Sequence, residues 1–382
     1  MSEVDPLGGL GRGPEAPRAE SPEREPAQPR ERHRPPPAPT TLVLLGLLGA
    51  MFLAEIAVGG KLGNDSLALF RLGALSAAAV LDGDWWRLGS YAFLHAGPVH
   101  LLVNAYALWI LMRPLEGLFG AASALGIFSA TAIIGGAASV ASALYFRHSP
   151  WQPAVGASGG IFGLFGAHVA LYWRLRTRLS PEARRGAGRT LLVNLLINLA
   201  LAVGAVAVGF PLDNAAHAGG FLSGILLGLI APAHVLAPRP WTRPALIALV
   251  GASLALAAME GAAVARAVHP HSRELQGEGI AATVPWSLVP GGEGHARSVE
   301  GYDVYLGRVE GTLSGGHPVA LANGTWTELA VQNGEGVDIR VLLRREGDAN
   351  LVVQAWCSIS DCATDERDRI AQEVAASAHA TR

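Results

Sequence analysis

Cysteine is nearly missing: the chain has two, Cys357 and Cys362, both late in the sequence. Everything before them lacks a thiolate. That excludes a cysteine-held metal cluster and leaves any metal chemistry to histidine. Charge is also scarce. Asp, Glu, Lys and Arg together make up 16% of 382 residues, the formal net charge is −2, and no Lys/Arg block is interleaved with aromatics, so a nucleic-acid groove is excluded. Two metal- and carboxylate-based intramembrane chemistries fall by inspection, because there is no His-Glu-x-x-His and no Gly-x-Gly-Asp. No internal repeat is apparent. Residues 1–40 lack large apolar side chains and are rich in Pro, Arg and Glu, a composition that cannot bury a core, so a disordered tail is expected. The short apolar stretch of a cleavable signal peptide is missing as well.

What the chain has is apolar length. Half of its residues are hydrophobic and mean hydropathy is +0.31, too apolar for an ordinary soluble protein and long enough for more than one domain. Seven stretches, 41–60, 95–113, 118–146, 155–173, 190–210, 214–236 and 244–266, are predicted to span; roughly 20 residues cross a hydrocarbon core about 30 Å thick. Residues 61–93 are interrupted by Lys61, Asn64, Asp65, Arg71, Asp82, Asp84 and Arg87. They predict an interfacial loop with short amphipathic helices, and the Trp85-Trp86-Arg87 cluster is expected at a headgroup boundary.

The basic residues orient the bundle. Arg30, Arg32 and Arg34 precede the first span, Arg174 to Arg189 crowd the connection after the fourth, and Arg239 and Arg243 follow the sixth. By the positive-inside rule those ends are cytoplasmic, while the turn at 209–213, which has no Lys or Arg, is expected to face outward. Seven spans from a cytoplasmic start put residues 267–382 outside. An oxidising compartment makes a Cys357–Cys362 bridge plausible there. The alternation of 337–341, the β-rich run 350–356 and an acidic helix start near Thr364 predict a small α+β domain. No catalytic constellation is visible in it.

Polar side chains at membrane depth are expensive, so each is a functional candidate. Four stand out: His100 and Asn104, Ser158, and His217. His100 and Asn104, at i and i+4, share one helix face. They could be a helix–helix hydrogen-bond pair, worth about 0.6 kcal/mol, or two donors aimed at a developing oxyanion. Ser158, in Gly156-Ala157-Ser158-Gly159-Gly160, and His217, in Ala216-His217-Ala218-Gly219-Gly220, each read alone as satisfied polar groups. Depth brings them together. Each lies just below the outer end of an inward-running helix, and His100 is expected about five residues below His95. Glycine stripes at Gly159 and Gly163 and at Gly220, Gly224 and Gly228 could let two helices approach until Ser158 and His217 meet as nucleophile and base. His95, His148, His168 and His234 are left as interfacial or packing residues.

Over 41–236 the chain resembles the rhomboid intramembrane serine proteases. The resemblance rests on Trp86-Arg87, His100-x-x-x-Asn104, Gly156-x-Ser158-Gly159 and Ala216-His217-x-x-Gly220-x-x-x-Gly224, in that order. It implies an all-α polytopic membrane protein: a rhomboid-like six-helix bundle (41–236), a linker and seventh C-terminal transmembrane helix (237–266), then the α+β domain (267–382). It also implies a Ser158–His217 dyad with no catalytic Asp, Asp213 included, and an oxyanion site of His100, Asn104 and the Ser158 N–H. Phe162 would pack under the histidine. Partners would be transmembrane protein substrates and the lipid bilayer of a bacterial plasma membrane, with no cofactor. The rival readings are an inactive relative that binds transmembrane clients, and a channel or transporter, whose polar groups would be spread through the depth of the membrane.

Overall fold

The computed structural model describes residues 38–60, 62, 65–207, 212–234, 236–310, 315–333, 337–358 and 362–381. The tail up to residue 37, with Arg30, Arg32 and Arg34, lies outside the described residues, as do Lys61, Asn64 and the loop positions 208–211.

Helices come first. They are α1 (Pro39–Gly59), α2 (Ser66–Leu72), α3 (Ala77–Leu81), α4 (Arg87–Ser90) with a 3-10 turn at Tyr91–Phe93, α5 (Pro98–Phe119), α6 (Ala121–Tyr145), α7 (Ser158–Leu175), α8 (Pro181–Ala207), α9 (Asn214–Ile230) and α10 (Thr242–Val268). Helices α1 and α5 to α10 occupy the seven stretches expected to span. Among the described residues, α1, α6 and α10 are each long and apolar enough to cross a membrane; α4 and its turn reach that length and apolarity only together with α5, against which they are bent by 95°.

Several boundaries differ from expectation for local reasons. Helix α8 starts at Pro181, so Arg184, Arg185 and Arg189 lie on its first turns and not in a loop. Ser180 Oγ accepts from Ala183 N (3.2 Å) at that start, and arginine is a good helix former. Helix α9 ends at Ile230, six residues early, because Pro232 follows its C-cap. His95 is not on α5 at all. It sits in the turn before Pro98, fully buried.

Residues 65–93 do form short helices, but Trp86 and Arg87 are buried, not turned toward a headgroup layer as expected; only Trp85 is exposed. Arg87 Nη1 donates to the carbonyls of Phe70 (2.7 Å) and Ala74 (2.8 Å), and its Nε donates to Asp84 (2.8 Å). A cation that stitches three turns of one loop together has no vacancy for lipid.

The C-terminal region is a β domain with one helix. Strands β1 (Arg273–Gly277), β2 (Ile280–Val284), β3 (Leu288–Gly292), β4 (His295–Ser298), β5 (Tyr302–Glu310), β6 (His317–Leu321), β7 (Gly324–Gln332), β8 (Asp338–Glu346) and β9 (Ala349–Cys357) precede α11 (Thr364–Ser377) and the short β10 (His379–Ala380). Seven of them form an antiparallel sheet in the order β3-β4-β5-β9-β8-β7-β6, and β1-β2-β10 form a small second one. Ile370, Ala371, Val374 and Ala375 of α11 close the core over Trp326, Leu342 and Val353. Cys357 and Cys362 are joined as a disulfide, with Cα atoms 6.0 Å apart.

This domain is seated on the loop before α5. Arg273 donates to Asp84 (2.6 Å) and also pairs with Asp82. Trp286 stacks on Phe70 with centroids 6.1 Å apart.

Candidate active site

The loop entering α7 is held at two points. Ala154 and Leu75 form a reciprocal backbone bridge (2.9 and 3.0 Å), and Gly156 N donates to Tyr91 O (2.9 Å). Gly156 takes φ +127°, a conformation open to glycine. A Cβ there would also stand 2.9 Å from His100 Cε1 and Nε2. The glycine therefore sets both the turn and the closeness of His100 to it. Ser158 follows as the first residue of α7.

Facing it, α9 begins with an Asp213 cap that accepts from Ala216 N (3.1 Å). Ser139 of α6 donates to the other carboxylate oxygen. One turn on, His217 Nε2 lies 2.9 Å from Ser158 Oγ. Phe162 stacks on the imidazole, with centroids 4.3 Å apart and planes 12° from parallel. Among the described residues no carboxylate accepts from His217, and Asp213 is occupied by α9's own cap and by Ser139. A neutral imidazole at this distance can take a hydroxyl proton.

The approach of the two helices is a matter of missing side chains. A Cβ on Gly220 would collide with the Gly159 carbonyl, and one on Gly224 with the Gly163 carbonyl; one on Gly228 would come within 2.8 Å of Ala167 Cα. The offset is constant, so α7 and α9 run parallel. The expectation of two glycine stripes face to face needs correction in one respect. The bare side of Gly163 receives Thr131 of α6, and that of Gly159 meets Tyr91 Oη at 2.8 Å. It is Gly166 whose missing side chain makes room for the α9 backbone, with Ile225 N 2.8 Å from a Cβ built there. Gly166 lies outside the serine motif and three residues after Gly163, off the four-residue spacing of Gly159 and Gly163, so the sequence alone does not mark it.

His100 Nδ1 accepts from Ala96 N (3.4 Å), which assigns the ring proton to Nε2, the atom beside Gly156. Asn104 is buried, and its Nδ2 donates to the His100 carbonyl (2.9 Å). One of its two N–H groups is thereby spent on its own helix and the other remains as a donor. His168 bonds Leu164 O of its own helix. His148 lies in the loop after α6.

Glu55 of α1 was not singled out from the sequence. It is buried and accepts from His95 N (2.8 Å), fixing the turn whose His95 ring packs edge-on against His100 at 5.1 Å. Its signal was available: an acid inside an apolar span.

Residues 82–234 match the family model described as the Rhomboid domain. The chain is 36% identical over 176 residues to the rhomboid protease GluP of Bacillus subtilis (strain 168), covering 45% of this chain and 31% of that protein. It is 34% identical over 193 residues to RHOMBOID-like protein 5 of Arabidopsis thaliana, covering 49% and 57%, and 38% identical over 171 residues to RHOMBOID-like protein 2 of that organism, covering 44% and 49%. The chain thus spans about a third of the first relative's length and about half of the other two. With its apolar helices it is an integral membrane protein. Its helical part, over residues 82–234, carries a rhomboid domain, and it is that domain that belongs to the rhomboid family.

Proposed function

We propose that this chain is an intramembrane serine endopeptidase that hydrolyses a peptide bond within or beside a transmembrane segment of another membrane protein. The observation that carries the reading is the 2.9 Å approach of His217 Nε2 to Ser158 Oγ, on two helices whose glycines allow no other side chain at the contact. His217 takes the Ser158 proton as the oxygen attacks the carbonyl. The tetrahedral oxyanion is held by the Ser158 N–H and by the His100 and Asn104 side chains. The protonated imidazole then gives its proton to the leaving amine, and water releases the acyl-enzyme by the same steps in reverse. Asp213 caps α9 and takes no part in proton transfer. The N-terminus lies on the cytoplasmic side of a bacterial plasma membrane, and the site and the β domain face the opposite side, as the distribution of arginines supports.

A serine-directed fluorophosphonate reports an activated hydroxyl without needing the natural substrate. Wild-type protein should label, and Ser158→Ala and His217→Ala should not, each remaining folded by circular dichroism and gel filtration. Labelling that survives in Ser158→Ala would sink the assignment. Labelling absent from the folded wild type would favour a client-binding relative.

A further inference from the structure

At the end of the bundle away from Ser158, the C-termini of α5, α7 and α9 and the start of α10 surround a cleft of about 290 Å³. Its wall includes Phe119, Arg174, His234, Arg239, Trp241 and Thr242, and no Asp or Glu lines it among the described residues. Arg174 is half-buried. Its Nη1 donates to the carbonyls of Gly228 (2.7 Å) and Ala231 (2.9 Å), and its guanidinium lies 5.9 Å from the Phe119 ring centroid. Those partners are neutral dipoles and leave the net charge standing. Arg239 is exposed on the other side and stacks over Trp241 at 5.2 Å; its backbone N is held by Thr242 Oγ1 (2.7 Å). The acid at this end of α5, Glu116, is bonded by Thr40 and Thr41 and is not part of the wall. Two cations thus share one cleft with no carboxylate among its described lining residues.

The surroundings indicate where the anion comes from. Leu222, Leu226 and Ile230 of α9 are spaced by four residues, so they form one stripe along the helix, and all three are exposed. The stripe ends at the cleft, where Ile230 is part of the wall. Leu246, Ile247, Val250 and Leu254 are exposed on α10, whose start lines the same cleft. Trp241 stands at the junction, where indole rings collect at membrane–water boundaries. A free anion would need only the arginines. An anionic lipid uses the whole arrangement: its phosphodiester sits between Arg174 and Arg239, its glycerol region lies beside Trp241, and its acyl chains lie along the α9 stripe that ends at Ile230.

We propose that this cleft is a binding site for the headgroup of an anionic phospholipid, on the arginine-rich side of the membrane. Neutralising one such arginine should weaken binding about fivefold, the equivalent of about 1 kcal/mol per basic residue at an anionic surface.

The test uses the full-length protein in neutral detergent, with the thermal unfolding midpoint followed as lipid is titrated. Phosphatidylglycerol should raise the wild-type midpoint with saturation. Phosphatidylcholine or inorganic phosphate should raise it little. Arg239→Gln, on an exposed loop and outside the helix contacts, should shift the phosphatidylglycerol titration about fivefold to higher concentration, and Arg239→Lys should largely restore it. Arg174→Gln should add to the shift, but it also loses a helix cap, so Arg239 carries the test. Equal titrations for wild type and Arg239→Gln, or equal stabilisation by inorganic phosphate or phosphatidylcholine, would overturn the proposal. The readout is binding and not cleavage, so it is independent of the role of Ser158.

Discussion

Gly220 offers a sharp test of how the site is held, because the atom its side chain would meet is backbone. The collision with the Gly159 carbonyl cannot be relieved by a rotamer change. Gly220→Ala must push α9 away from α7, at an expected loss of about 1–3 kcal/mol in stability, the usual range for overpacking. The same displacement lengthens the His217–Ser158 contact, so fluorophosphonate labelling should fall with the unfolding midpoint. Gly251, in the interior of α10, has nothing within 4 Å of its built Cβ. Gly251→Ala should therefore stabilise by about 0.5–1 kcal/mol through helix propensity alone; if both substitutions behaved alike, close approach would not be what Gly220 provides. Asn104→Ala should lower the cleavage rate of a model transmembrane substrate about 10²–10³-fold, the loss typical of one oxyanion donor, while fold and KM change little. Much of this site was legible. Ser158, His217, His100 and Asn104 are residue types that are expensive at membrane depth, and each is announced by its place in an apolar run. Gly166 was less so, because its meaning depends on which helix lies opposite, and for Glu55 the apolar run announces the acid but not the turn that it holds; both are tertiary facts.

Helix α9 is presented to the site by its first turn. Asp213 accepts from Ala216 N, His217 N bonds back to Asp213 O at 3.1 Å, and Ser139 ties the cap to α6. Removing the carboxylate in Asp213→Ala should cost about 1 kcal/mol as a lost N-cap, with a matching fall in labelling as the helix start frays. Asp213→Asn separates capping from catalysis, because asparagine caps as well as aspartate does. It should retain most of its activity against a model substrate, whereas a triad aspartate changed to asparagine loses about 10⁴-fold. A fall of that size would return Asp213 to the catalytic machinery. The placement of the long helices was readable from apolar runs, and the errors were at their ends. The Arg184 to Arg189 stretch looked like a loop because charge was weighed above propensity, yet an exposed helical turn holds arginine comfortably. Trp86 and Arg87 looked interfacial because that is where such a pair is usually solvated, yet here Asp84 and two carbonyls replace the solvent. In the β domain, the alternation of 337–341 and the β-rich run 350–356 were visible and fall on β8 and β9. The sheet order was not, since pairing is set between distant strands.

The two halves of the molecule are joined by a buried ionic contact. Asp84 stands between Arg87 of the loop before α5 and Arg273 of β1, with side chains of all three nearly inaccessible. Around it Trp286 covers Phe70, and Val289 packs with Phe70, Ala78 and Ala79. The same loop carries Leu75, bridged to Ala154, and Tyr91, whose carbonyl holds Gly156 two residues before Ser158. A continuous chain of contacts therefore runs from the β domain through the loop to the serine turn. Arg273→Ala leaves Asp84 with Arg87 but removes two of the bonds that seat the domain. It should destabilise the junction by about 1.5–3 kcal/mol, the range for a lost hydrogen bond to a charged group. Hydrogen exchange is the measurement that separates this from general unfolding. Protection should fall in residues 66–93 and 273–284 and persist in α11 and β7 to β9, whose core lies away from the junction. Fluorophosphonate labelling should slow in the same variant, because the turn that presents Ser158 loses part of its support. Unchanged exchange in 66–93 would mean that the apolar contacts around Phe70 seat the domain unaided, and that the arginine pair only neutralises a charge the fold has already enclosed.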